Sequence, residues 1–103
     1  MKKDINKEIV EIANRVLNQE LGSIEASRTL IRLFYQIKKD DDKNLMVFKA
    51  LDSETDHLPL GKLRENYSPN KLEVMDNEVK SYEHTYRESI NLACKNIIKK
   101  FGN

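Results

Sequence analysis

The sequence predicts an all-α protein, a small helical bundle in which an antiparallel N-terminal hairpin packs on a long C-terminal helix. Three observations predict it. Apolar residues recur every three or four positions through most of the chain. A Gly-Ser junction at 22–23 separates two such stretches by too few residues for anything but a tight turn. From Pro69 to Phe101 no glycine or proline breaks the pattern. With 103 residues, the chain reads as one domain with room for one modest core.

The first helix is expected over roughly 4–19. Ile5, Ile9, Ile12, Ala13 and Val16 form its stripe, with Asp4 as N-cap. Gly22 is the natural left-handed residue to end it, and Ser23 to cap the next helix. The second helix, about 24–38, carries Ala26, Leu30, Leu33, Phe34 and Ile37 on its inner face. Ile31 and Tyr35 widen that face, as expected of a central helix with several neighbours. The run "KKDDDKN" at 38–44 is a turn in which Asp42 or Asn44 caps the element after it. "LMVF" at 45–48 reads as a buried strand or a helix. With no second strand to satisfy its ladder groups, a short helix over about 45–54 is expected. Residues 55–68 hold Pro59 and Gly61 and form a loop with one helical turn at "LGKLREN". Ser68 at N-cap and Pro69 at N1 then open the last helix, lined by Leu72, Met75, Val79, Tyr82, Tyr86, Ile90, Ala93, Ile97 and Phe101. At 1.5 Å per residue that helix is roughly 50 Å long, more than the ~35 Å width of a domain this size. It must kink, overhang or lie along the long axis, with the hairpin on its C-terminal half and the third helix plus loop on its N-terminal half.

Composition narrows the function classes. A formal net charge of +1 gives no global attraction to nucleic acid or anionic lipid. No stretch is apolar and long enough to span a bilayer, and no leader-type apolar segment opens the chain. A single cysteine, Cys94, cannot form an internal disulfide, and the expected location is the cytoplasm. Placed beside Leu92 and Ala93 on a helix, it reads as a buried thiol. Lys95, Lys99 and Lys100, without interleaved aromatics, do not make a nucleic-acid site.

The chemistry-bearing stretch is "DSETDH" at 52–57. As a calcium loop it fails, because the required glycine falls on His57 and the bidentate glutamate on Leu63. Zinc would need partners from His84 or Cys94, far along the last helix. Ser53, Asp56 and His57 are the residue types of a hydrolytic triad, but no nucleophile elbow or glycine-rich loop accompanies them. No metal, no cofactor and no catalytic residue is expected. Asp52 and Ser53, with Arg64 clamping a local carboxylate, read as a structural network that ends the third helix. Asp40, Asp41, Asp42, Glu54, Asp56 and His57 read as a partner-binding face. Over 40–56, six acidic residues stand against two lysines, a net of −4.

The stretch "FKALDSETDHLPLGKLRENYSP", continued by Leu72, Asp76–Glu78, Tyr86 and Ala93–Cys94 and preceded by "LGSIEASRTLIRL", resembles a family of small bacterial helical proteins of uncharacterised function. Tyr67 stands where that pattern has a tryptophan. Proteins of this kind are similar to the immunity partners of bacterial toxins, including those of contact-dependent growth inhibition. The resemblance implies a non-enzymatic module that neutralises a cognate toxin domain, a nuclease for example. A structural or oligomeric role, or a small enzyme using residues 52–57, are the alternatives.

Overall fold

The computed structural model describes residues 4–102, and among them there is no strand. Four α-helices follow one another: α1 (Ile5–Leu17), α2 (Ser23–Gln36), α3 (Met46–Thr55) and α4 (Pro69–Phe101). A 3-10 turn at Lys43–Leu45 leads into α3, and a second at Gly61–Asn66 sits in the loop before α4. The architecture is the all-α bundle expected from the stripes.

Local chemistry explains most boundaries. Asp4 accepts the Lys7 amide at 3.2 Å and caps α1. Ser68 accepts the Lys71 amide at 3.3 Å and caps α4, with Pro69 at N1 where its missing N–H costs nothing. Asp42 accepts the Asn44 amide at 2.9 Å and starts the turn into α3. The α1–α2 junction differs from expectation. Gly22 has φ −67° and is the N-cap of α2, without a capping side chain, and Ser23 is already helical. The left-handed residue is Gln19, with φ 60°. Its amide bonds Val16 O at 3.1 Å and the Glu20 amide bonds Arg15 O at 2.8 Å, which is a Schellman motif. Lys38, at φ 57°, ends α2 in the same way, through Lys38 N to Tyr35 O and Lys39 N to Phe34 O. Left-handed backbone costs an L-residue about 1–2 kcal/mol that glycine avoids. Gln19→Gly and Lys38→Gly are each expected to raise stability by about 1 kcal/mol, read as a higher urea midpoint at unchanged slope.

One contiguous core joins all four helices. Ile9, Ala13 and Val16 of α1 meet Ile24, Ala26, Leu30, Leu33 and Phe34 of α2. Leu45, Phe48 and Leu51 around α3 and Ile90, Ala93, Cys94 and Ile97 of α4 complete it. Phe34 packs edge-on against Phe101, ring centroids 5.3 Å apart, closing one end. As a central helix, α2 touches α1, α3 and α4. Its Tyr35 does not widen the buried face; it is 70% exposed.

α4 is unbroken, and the longest dimension of the molecule is 45 Å. The helix therefore lies along the long axis. α1 runs antiparallel beside its C-terminal half, Asp4 and Lys7 near Phe101 and Leu17 and Leu21 near Glu83 to Ile90. α3 does not sit on the N-terminal half of α4 as expected. Its start, at Asp42 and Asn44, lies beside Lys100 and Asn96, and only the loop after α3 reaches the N-terminal half. The reason is the hydrophobic pattern: Leu45, Phe48 and Leu51 bury into the same cluster as the C-terminal residues of α4.

Candidate functional site

The polar stretch at 52–57 lies on a seam. Residues 42–64 run antiparallel to α4, and five side-chain contacts cross between them in register. Lys100 Nζ donates to Asp42 Oδ2 at 2.5 Å, and Asn96 donates to Asn44 at 3.4 Å. Tyr86 OH donates to Glu54 Oε2 at 2.5 Å. His57 Nε2 donates to Glu78 Oε1 at 2.9 Å. Arg64 grips Asp76 with two bonds, at 2.9 and 3.1 Å. In each pair the two residue numbers sum to between 135 and 142, the mark of two antiparallel segments held in one alignment.

A second clamp fixes the end of α3. Arg28, on α2, donates to the Thr55 and Leu58 carbonyls at 2.8 and 3.2 Å, and its Nε lies 3.3 Å from Asp52 Oδ1. Thr55 O also accepts the Leu58 amide at 3.0 Å, so the guanidinium from the neighbouring helix adds a second bond there and engages the Leu58 carbonyl in the turn beyond α3. Thr55, fully buried, turns its hydroxyl back to Leu51 O at 2.6 Å. The expected network of Asp52, Ser53 and Arg64 is thus three separate placements. Asp52 belongs to the Arg28 clamp, one turn inside α3. Ser53 is exposed and makes no side-chain hydrogen bond among the described residues. Arg64 clamps a carboxylate of α4, not one of the loop.

The six residues of the expected partner face divide as well. Asp42 is nearly buried and paired with Lys100. Glu54 and His57 are exposed but tied to α4. Asp40 lends its backbone carbonyl to Lys49, while the carboxylates of Asp40, Asp41 and Asp56 have no ion-pair partner among the described residues. Among the described residues, no three His, Cys, Asp or Glu side chains converge as a metal site would require. No helix among them is long and apolar enough to cross a membrane.

Electrostatics follow the same division. Burial pushes the Asp42 carboxyl up, but the Lys100 bond and the Asn44 amide outweigh it and hold it below the usual range. The Arg64 bond lowers Asp76, and Asp76 in turn raises Arg64. The hydrogen bond to Glu54, then partial burial and the charge of Glu54, raise the Tyr86 phenol. A carboxyl held low stabilises the fold above its unfolded pKa and loses that contribution as pH falls through the folded value. Asn keeps the capping oxygen but not the charge, so Asp42→Asn is expected to cost about 1 kcal/mol at neutral pH, the scale of an ion pair with one half-exposed partner, here Lys100. That deficit should shrink below about pH 4, where the parent carboxylate is protonated too; urea titrations of both proteins from neutral to acid pH measure it.

The residue that the sequence did not point to is Arg28. Its partners are chiefly backbone carbonyls, which carry no sequence signature, and nothing in its spacing separates it from Arg32 one turn later. Arg64 was recognisable as a clamp because arginine in a loop rich in carboxylates offers a matched fork. Glu78 and Tyr86, one on the outer edge of the last helix and the other on its apolar stripe, became legible only once the antiparallel alignment was known.

A family model described as "Protein of unknown function (DUF2489)" matches residues 1–97. No curated protein matches the chain, and no solved structure does.

Proposed function

From the premise that the chain belongs to the DUF2489 family of proteins of unknown function, we propose that it is a protein-binding module, an immunity-type inhibitor that covers a basic surface on a cognate toxin domain. What supports the reading is the set of carboxylates left over after the internal pairs are made. Asp40 and Asp41 stand before α3 and Asp56 directly after it, roughly 15 Å apart along the helix, and no cation among the described residues pairs with their carboxylates, Lys49 reaching only the Asp40 backbone carbonyl. Unpaired acidic groups at this spacing suit a partner with separated basic groups, such as a nuclease domain with its substrate cleft. Such charges act chiefly on the rate and salt dependence of docking. The competing reading is structural. It draws on Asp52, Glu54 and His57, whose side chains all engage other parts of the same chain.

The two readings separate on one set of variants. The partner is first captured from the native host on the immobilised protein and identified. The triple variant Asp40→Asn, Asp41→Asn, Asp56→Asn should keep the parent stability to within about 0.5 kcal/mol. It should bind the partner at least tenfold more weakly at low salt, with a flatter salt dependence, by titration calorimetry. Unchanged binding of the triple variant overturns the acidic-face reading.

A further inference from the structure

We propose that residues 59–85 form a lid, the loop after α3 together with the first half of α4, which opens as one unit while the rest of the bundle stays folded. Burial changes abruptly along α4. Its buried residues are Ile90, Ala93, Cys94 and Ile97, and from Pro69 to Ser89 there is none. In the whole stretch 59–85 only Pro59, at its edge, is buried, and the 3-10 turn at 61–66 buries nothing. Leu60, Met75, Val79 and Tyr82 cover the core only partly. Half a helix without a buried stripe has little tertiary support, and a helix of that length is marginal by itself.

The fastenings mark the two ends of the lid. Arg28 holds the chain at Thr55 and Leu58, so the fixed body extends to Leu58. Just beyond it, the backbone turns through Gly61, whose φ of 59° suits a residue without a Cβ. At the other end Tyr86 is tied to Glu54 of the body. Arg64 and Asp76 both lie within the lid and bind its loop to its helix, so that the two move together. Besides those partly buried apolar contacts, one polar side-chain contact among the described residues joins the middle of the lid to the body: His57 to Glu78, both substantially exposed, with 52% and 37% of their side chains accessible. Exposed pairs of this kind hold weakly. Segments with few buried contacts and exposed fastenings are those that open below the global unfolding free energy. Opening would uncover the apolar sides of Met75, Val79 and Tyr82, which the ground state covers in part.

Native-state hydrogen exchange on the full chain in low concentrations of denaturant tests this. Amides of residues 73–84 should share one opening event, exchange at least a hundredfold faster than those of 91–98, and accelerate together with denaturant. The variant His57→Gln with Glu78→Gln should raise exchange across 73–84 several-fold and leave 91–98 unchanged. Three results would overturn the lid: exchange of 73–84 only with global unfolding; a smooth gradient along the helix without denaturant dependence, which is fraying; or equal acceleration of both blocks by the lock variant. None of these depends on a partner, so the lid stands or fails separately from the binding role.

Discussion

Phe34→Ala is expected to remove about 3–5 kcal/mol of stability, the usual result of truncating a buried phenylalanine. The ring is fully buried in α2, which touches all three other helices, and the variant also loses the edge-on contact with Phe101. Such aromatic pairs add to simple burial. Domains of this size have only about 5–15 kcal/mol in total, so a large share of the margin goes with one side chain. Chemical denaturation should show a much lower midpoint, or a protein already partly unfolded without denaturant. Phe34→Leu, which refills most of the volume, should recover much of the loss. If Phe34→Ala costs less than about 1 kcal/mol, the core is not packed as described.

The second large effect is alkaline. Cys94 is fully buried, and burial pushes its thiol up to about 12. In the unfolded chain a thiol ionises near ~8.5. A group whose folded pKa is raised stabilises fully below the unfolded value and loses that contribution as pH climbs through the folded one. The parent should therefore lose on the order of 3 kcal/mol from this thiol between about pH 9 and about pH 12. Cys94→Ala lacks the group. It should be less stable than the parent at neutral pH, through the small cavity it leaves, and more stable than the parent at strongly alkaline pH. Urea midpoints of both proteins over that range show the crossing; lysines and tyrosines are common to both and cancel. A constant difference between the two would mean that the thiol is solvated in the folded state. The same burial makes slow labelling by thiol reagents at neutral pH the expected behaviour, limited by opening of the fold.

Much of the architecture was readable before any coordinates because the chain follows its local rules. Asp4, Asp42 and Ser68 are capping residues at the places where elements begin, and Pro69 stands where a helix accepts it. The stripe from Ile90 to Ile97 and that from Ala26 to Phe34 became core. What escaped was of two kinds. Helix ends were set by geometry that glycine favours but does not monopolise, so Gln19 and Lys38 took the left-handed positions while Gly22 did not. Long-range pairing escaped as well. Periodicity says which side of α3 faces inward, but not which half of α4 it meets. Without that alignment, the partners of Glu54, His57 and Arg64 could not be named. For the polar stretch, then, residue type was informative and direction was not. Asp52 looks to α2, Glu54 and His57 look to α4, and Asp56 looks outward to solvent.

The way α1 is partnered has a consequence for synthesis. Its apolar face rests chiefly on the C-terminal half of α4, so the two halves of that interface are far apart in the sequence. A ribosome adds about 5–20 residues per second, which leaves several seconds between the emergence of α1 and of its partner. During that interval Ile9, Ala13 and Val16 have only α2 to lean on. The nascent chain thus passes through a stage with an open sticky face, a natural moment for a holding chaperone and a point at which slow translation would favour aggregation.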